Sequence, residues 1–256
     1  AIYPKPHLSR RAYLCYACHM LICGLQKTTL LDFPGHVAAT VFTGGCNMRC
    51  PFCQNSDLID AGLFPAEQRY TDAEVLAFLK KRGFVLEGVA FTGGEPTLQP
   101  DLADFMREVR SLGLLIKLDT NGTRPAVLEE LFDGGLVDYV AMDIKAARAN
   151  YTSACGRLPG SGHEGILRIM ESASLIMRSG VPYEFRTTTV RGIHTDDDFR
   201  DIAEWLAGAQ NYYIQSYRDS EQVLERRFGS FSEDELKVFQ GILSETMPHV
   251  EIRGVS

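Results

Sequence analysis

Six short apolar runs, each followed by a stretch of helical periodicity, predict an α/β fold built on a parallel sheet. The connections are short, which favours right-handed crossovers between neighbouring strands. A third observation orients the sheet. Cysteines, carboxylates and amides gather at the C-terminal ends of the runs, the edge where parallel sheets hold ligands.

The elements follow in order. Residues 37–42 form the first strand and lead into a cysteine-rich loop. Thr71-Asp72-Ala73-Glu74 is a capping box, with apolar Val75, Leu76, Phe78 and Leu79 behind it to form a helix. Residues 88–91 are the second strand and deliver the turn Gly93-Gly94-Glu95. In the helix over 101–112, Leu102, Phe105, Met106 and Val109 share one face, and Gly113 stops it. The third strand, 114–118, ends in Asp119-Thr120-Asn121-Gly122, and a short helix follows over 126–132. Residues 137–142 form the fourth strand, ending at Asp143; the next helix, 165–178, is stopped by Gly180. Residues 182–190 are the fifth strand, 196–206 a helix and 212–215 the sixth strand. A closing helix over 232–243 opens with Ser232-Glu233-Asp234-Glu235, a second capping box. Periodicity leaves two architectures open: a curved, partly open (β/α)6 barrel and a flat doubly wound sheet.

At 256 residues the chain has the length of one large domain with a full core. Its 45% hydrophobic and 23% charged residues are ordinary for a globular protein. A net charge of −7 argues against a nucleic-acid partner held by phosphate neutralisation. No apolar run approaches the roughly 18 residues of a membrane span. Lys5, Arg10 and Arg11 precede a stretch that superficially suggests a signal peptide. Its cysteines and histidine, without a small-residue cleavage pattern, exclude that reading. Seven cysteines, three of them clustered, imply metal binding in a reducing compartment, with the cytoplasm as the expected location.

The cluster is Cys46, Cys50 and Cys53, spaced C-x3-C-x2-C after the first strand. Thiols this close on one loop converge on a small volume, and convergent thiolates hold zinc or iron–sulfur clusters. A closed structural site wants four protein ligands, whereas the local count here is three. Three thiolates on a four-iron cubane leave one iron open, where chemistry takes place. The competing reading is a zinc knuckle completed by Cys155 or a histidine.

The cysteine motif, followed by Phe91-Thr92-Gly93-Gly94-Glu95-Pro96-Thr97, resembles the radical S-adenosylmethionine (SAM) superfamily. Within it the chain is similar to glycyl-radical-enzyme activases, above all the activating proteins of anaerobic ribonucleoside-triphosphate reductase. The stretch Gly24-Leu25-Gln26-Lys27-Thr28-Thr29-Leu30-Leu31-Asp32-Phe33-Pro34-Gly35 carries that similarity, as do Leu118-Asp119-Thr120-Asn121-Gly122 and Met142-Asp143-Ile144-Lys145. The resemblance implies the partial, open (β/α)6 barrel and a [4Fe–4S] cluster on Cys46, Cys50 and Cys53, shielded by Met48 and Phe52. On this pattern the open iron chelates SAM, whose reductive cleavage yields a 5′-deoxyadenosyl radical that abstracts hydrogen from a glycine of the partner.

Further roles follow from the same resemblance. Gly93, Gly94 and Glu95 would receive the methionyl amine of SAM. Asp119 and Thr120, beside Asn121 and Gly122, would order its polar end, in some activases through a bound monovalent cation. Asp143 and Lys145 would stand near the SAM carboxylate. Strand alternation puts these two on one face, where an inward lysine needs a carboxylate partner. Arg186 is a candidate for the SAM carboxylate or the partner's backbone, and Gln215 for the ribose or adenine. Where activases carry a histidine shortly after the sixth strand, this chain has Arg218. His194 reads as a loop or helix-entry residue.

Residues 54–92 contain no cysteine, so no ferredoxin-like insert is present there. The expectation is a compact activase with one cluster, served by an external donor such as flavodoxin or ferredoxin. Residues 1–23 read as an N-terminal extension and 24–256 as the core domain with its C-terminal helix. Cys15-Tyr16-Ala17-Cys18-His19 spells a c-type haem attachment pattern, but nothing else suggests export. A second cluster on Cys15, Cys18 and Cys23 is the other option, and an extension without metal is the simpler one. Two rival functions remain: a radical SAM enzyme acting on a small molecule, such as a deazapurine synthase, and a non-catalytic iron–sulfur or zinc protein.

Overall fold

The computed structural model describes residues 20–160 and 162–255, so Cys15 and Cys18 lie outside the described residues. Its centre is one eight-stranded sheet in sequential order: β1 (Ile22–Thr29), β2 (Ala38–Thr43), β3 (Gly88–Gly93), β4 (Leu115–Thr120), β5 (Tyr139–Asp143), β6 (Tyr183–Thr189), β7 (Tyr212–Ser216) and β8 (Val250–Arg253). β2 to β8 pair in parallel, and β1 pairs antiparallel with β2. The sheet does not close, leaving β1 and β8 as its edges. The expected six strands are β2 to β7. The two additions lie at the edges, where local pattern is weakest. β1 carries Gly24 and a polar Gln-Lys-Thr-Thr end, and β8 has four residues. β1 starts at Ile22, so the boundary at residue 23 falls inside a strand, with Ile22 and Cys23 buried.

The helices are α1 (Asp72–Arg82), α2 (Leu102–Ser111), α3 (Pro125–Asp133), α4 (Tyr151–Cys155), α5 (Gly162–Arg178), α6 (Asp196–Trp205) and α7 (Glu233–Ser244). Both expected capping boxes form: the Thr71 hydroxyl accepts from Glu74 N–H, and the Ser232 hydroxyl from Glu235 N–H. A third box, Thr195 with Asp198, starts α6. Its sequence signature carries aspartate where the usual motif has glutamate or glutamine. α4 is a five-residue helix that the sequence reading did not contain.

Strand alternation divides the sheet into an apolar face toward the helices and a polar inner face. Ile116, Leu118, Val140, Met142, Phe185 and Ile214 are fully buried in the core, and Phe91 meets Phe105 of α2 edge-on, with ring centroids 5.9 Å apart. Lys117, Asp119, Asp143, Glu184, Arg186 and Gln215 stand on the other face and line the interior. The β1–β2 connection turns Phe33 inward beneath Tyr139, at 6.2 Å between ring centroids, while Leu30 and Leu31 stay exposed. On the outer layer, Phe199 of α6 stacks on Phe239 of α7 at 4.2 Å, joining the last two helices.

Candidate active site

The cysteine loop leaves β2 through Gly44 and Gly45 and is pinned by backbone hydrogen bonds at several points. Gly45 N–H donates to Leu58 C=O and Cys46 N–H to Ile59 C=O, while Arg49 N–H reaches Cys155 C=O at 2.9 Å. Gly156, at φ +65°, completes that last contact: a Cβ there would lie 2.2 Å from the Arg49 carbonyl oxygen. Cys23 packs behind the loop, since a Cβ on Gly44 would meet its sulfur at 2.5 Å. Cys46, Cys50 and Cys53 line one cavity of about 280 Å³ with Met48 and Phe52, both almost completely buried. The Met48 N–H lies 3.4 Å from Cys46 Sγ, and Asn121 Nδ2 lies 3.9 Å from the same sulfur. Such donors tune the reduction potential of a thiolate-held cluster.

Burial pushes the Cys46 thiol up to about 11 and the Cys50 thiol to about 12, and raises Cys53 as well. In the metal-free protein these ligands are therefore protonated, and metal loading releases protons. Among the described residues no three His, Cys, Asp or Glu side chains close on a single metal ion. Cys155 is fully buried and is not among the cavity's lining residues; its Sγ instead faces Thr152 C=O at 3.7 Å. The donor set is therefore three soft ligands from one loop facing a cavity. That set fits an iron–sulfur cubane with one open iron.

Opposite the cysteines, the β3 turn is pressed against their loop. Gly94 N–H donates to Thr43 C=O and Glu95 N–H to Gly45 C=O, each at 2.8 Å. The approach requires glycine: a Cβ on Gly94 would lie 2.1 Å from the Gly45 carbonyl oxygen, and Gly93 adopts φ +115°. Glu95 is buried, and four protein donors already reach its carboxylate. Thr97 N–H, Thr97 Oγ1 and Thr120 Oγ1 share Oε1, and Asn121 N–H reaches Oε2 at 2.7 Å. Burial raises the pKa of Glu95, and these hydrogen bonds oppose that rise. The expectation that Glu95 accepts from an ammonium thus narrows to Oε2. Its main structural effect is to tie the β3 and β4 turns together.

The β4 turn adds Asn121, whose Nδ2 donates to Asn47 Oδ1 at 2.9 Å and whose Oδ1 accepts from Thr123. Farther along the cavity, ionic side chains form one connected series. Lys145 Nζ pairs with Asp143 Oδ2 at 2.9 Å, which meets the expectation of a carboxylate partner. Arg186 Nε pairs with Asp143 Oδ1 at 2.5 Å, and its Nη2 with Asp119 Oδ2 at 3.0 Å. Lys117, which is buried, completes the series on Asp119 Oδ1. Burial disfavours ionised Asp119 and Asp143, but the neighbouring cations outweigh it and hold both below the usual carboxylate range. Burial likewise works against the charged forms of Lys145 and Arg186, whose carboxylate partners outweigh it and raise both.

Gln215 lines the cavity beside Thr188, with Thr188 Oγ1 3.5 Å from its Oε1. Arg218 is exposed and is not among the residues lining this cavity; its guanidinium donates to Gly254 C=O. His194 is buried behind the site. Its Nδ1 accepts from Val190 N–H at 2.9 Å, which leaves Nε2–H to donate to Lys145 C=O, also at 2.9 Å. It braces the Lys145 backbone. All ten expected SAM-binding residues, Gly93, Gly94, Glu95, Asp119, Thr120, Asn121, Asp143, Lys145, Arg186 and Gln215, line the same cavity as the three cysteines. The sequence reading missed Lys117, Glu184, Thr97 and Asn47. For the first two the signal was present, as charged residues two positions from Asp119 and Arg186 on strands.

A mostly parallel sheet open at one side, with three convergent thiols and a row of paired carboxylates and cations lining the same cavity, defines a class of metallocluster enzyme. The chain belongs to the radical SAM superfamily, whose family model matches residues 40–206. Its cofactors are accordingly a [4Fe–4S] cluster and SAM. The chain is 30% identical over 242 residues to a Methanocaldococcus jannaschii protein that carries the provisional name of a glycyl-radical enzyme activating enzyme. The match covers 92% of this chain and 97% of that protein. It is also 31% identical over 122 residues to the 7-carboxy-7-deazaguanine synthase of Neisseria meningitidis, covering 47% of this chain and 50% of that one. Among solved structures, a radical SAM methyltransferase from Sphaerobacter thermophilus shares the fold with a TM-score of 0.64, at 18% identity, over 89% of this chain and 70% of that one.

Proposed function

We propose that this chain is a radical SAM activase that makes a glycyl radical on a large partner enzyme, with anaerobic ribonucleoside-triphosphate reductase as the partner. The observation that carries the proposal is a second cavity, of about 540 Å³, which shares Asp119, Arg186 and Gln215 with the first. The exposed Leu30 and Leu31 stand on one side of it, and Arg253 and Gly254 of the opposite sheet edge on the other. An opening between the free edges of a sheet suits a polypeptide loop carried by a large protein. Its charges balance, with Asp32, Asp119 and Glu184 against Lys117, Arg186 and Arg253: Glu184 accepts from Arg253 and from Tyr139, Asp32 accepts from the Thr40 hydroxyl, and Arg253 stacks on Tyr213 at 3.2 Å. A lining whose formal charges sum to zero suits a neutral main chain better than an ionic metabolite. The M. jannaschii relative, matched over nearly its whole length, supports the same reading.

When bound, the cluster supplies the electron that cleaves SAM to methionine and a 5′-deoxyadenosyl radical. Cys46, Cys50 and Cys53 hold it, while Met48 and Phe52 keep water and oxygen from it. Backbone groups of Gly93 and Gly94, with Oε2 of Glu95, would receive the methionyl amine. Lys145 and Arg186 would hold its carboxylate, and Gln215 would serve the nucleoside. The protein's contribution is orientation and exclusion of solvent, the cofactors providing the radical chemistry. An external flavodoxin or ferredoxin delivers the electron, since residues 54–92 hold no cysteine for a second cluster.

The deazaguanine synthase similarity favours a second reading, a small-molecule substrate, over roughly half the chain. The test is anaerobic reconstitution with iron and sulfide, followed by dithionite, SAM and purified anaerobic ribonucleotide reductase. Electron paramagnetic resonance should show a glycyl radical on the reductase, lost with Cys50→Ala. If SAM is cleaved but no radical forms on the reductase, the partner assignment fails. Turnover of a small-molecule substrate would replace it.

A further inference from the structure

The resemblance to activases allows a monovalent cation among the carboxylates that order SAM's polar end. The residues present do not fit one. Asp119 and Asp143 sit near the ends of adjacent parallel strands, and Arg186 is the register partner of Asp143 on the next strand. The guanidinium reaches back across both, with Nε on Asp143 Oδ1 at 2.5 Å and Nη2 on Asp119 Oδ2 at 3.0 Å. The remaining oxygens are taken as well: Asp143 Oδ2 by Lys145 Nζ and Asp119 Oδ1 by Lys117 Nζ. All four carboxylate oxygens thus carry a protein cation. A hard metal ion needs several such oxygens free to replace its water.

We propose that Arg186 is a tethered internal cation standing in place of a monovalent metal ion, so that SAM binds here without sodium or potassium. The charge count supports this. Within the ion-paired series Asp119, Asp143 and Glu184 face Lys117, Lys145, Arg186 and Arg253, which leaves one net positive charge; Glu95, held by neutral donors, lies outside that series. That surplus complements the single carboxylate of SAM. An added metal ion would raise the surplus and compete with the guanidinium for the same oxygens. A guanidinium is always charged and its donors are fixed in one plane, so it can hold two carboxylates at a set spacing where a lysine could not. Arg186 is therefore a positioning residue for the SAM carboxylate as well as a contact to it. The inference rests on the SAM site and not on the identity of the partner.

The test compares potassium, sodium and tetramethylammonium chloride at equal ionic strength. SAM affinity and 5′-deoxyadenosine yield of the reconstituted protein are measured in each, together with the melting temperature of the metal-free protein. The wild type should vary less than about twofold among the three salts, exposed electrostatics being matched at one ionic strength. Arg186→Met leaves Asp119 and Asp143 facing each other without the bridge. It should weaken SAM binding by about tenfold or more in tetramethylammonium, with potassium or sodium restoring part of the loss. Its metal-free melting temperature should also rise with potassium or sodium, unlike that of the wild type. A wild type that needs potassium or sodium to bind SAM overturns the proposal. So does an Arg186→Met protein that responds equally to all three salts. Should that variant fail to fold, the wild-type comparison still decides, and Arg186→Lys repeats the rescue with a point charge in place of the fork.

Discussion

Replacing Gly94 with alanine tests whether the site depends on the close contact between the β3 turn and the cysteine loop. The new Cβ would lie 2.1 Å from the Gly45 carbonyl oxygen and 2.7 Å from its carbon. Both are backbone atoms, so no side-chain rotation relieves the overlap. To restore even 3.0 Å the two turns must move apart, stretching the Glu95 N–H to Gly45 C=O and Gly94 N–H to Thr43 C=O bonds, each 2.8 Å long. A buried hydrogen bond left unmade costs about 1–3 kcal/mol, so a loss of about 2–5 kcal/mol is expected. For a chain of this size that lowers the melting temperature by about 5–15 °C. Because Glu95 also anchors the β4 turn, the shift misplaces the SAM site, and a displacement of about 1 Å costs on the order of a hundredfold in rate. The assays are thermal melting of the metal-free protein and 5′-deoxyadenosine formed per cluster after dithionite reduction. Gly241→Ala is the control. Gly241 is on the exposed side of α7 with nothing within 4 Å of the added Cβ, so alanine should stabilise by about 0.5–1 kcal/mol. A Gly94→Ala protein that melts with the wild type and turns over at full rate would refute the argument.

Three other expectations concern separate parts of the molecule. Burial lowers the pKa of His194 from 6.5, although Lys145 C=O, Asp198 and the Val190 backbone oppose this. The unfolded chain therefore takes up the proton first, so stability is full above pH 6.5 and declines below it, by at most about 1.4 kcal/mol per pH unit. Urea titrations of the metal-free protein at pH 7.5 and 5.5 should show that decline, and His194→Gln should reduce it; identical slopes for the two proteins would count against the buried neutral imidazole. Leu31 is 90% exposed beside the second cavity. Leu31→Glu should leave melting and cluster content unchanged while lowering radical transfer to the reductase by about tenfold, and undiminished transfer would remove the leucines from the docking surface. Thr195→Ala removes the hydroxyl that accepts from Asp198 N–H at the start of α6 and should cost about 1 kcal/mol in denaturant melts. A loss below about 0.3 kcal/mol would mean that solvent satisfies that end of the helix equally well.

By itself the sequence determined the repeating strand–helix units, the helix starts at Thr71 and Ser232, and the three-thiol loop. Each is written locally: in a spacing of two or 3.6 residues, in a cap three residues from its partner, or in thiols within one loop. The pairing of Asp143 with Lys145 was legible for the same reason, as two residues on one strand face. Tertiary structure decided what depended on neighbours distant in sequence. β1 and β8 exist because the sheet's edges supply their hydrogen-bond partners, not because their own residues demand a strand. Arg186 bridges Asp119 and Asp143 only because three consecutive strands set their inner faces side by side, a contact spanning 67 residues of chain. Glu95 looked available for a ligand until the fold brought Thr120 and the Asn121 N–H to its carboxylate. Backbone sterics likewise made Gly94 a necessity at a contact that no local pattern contains.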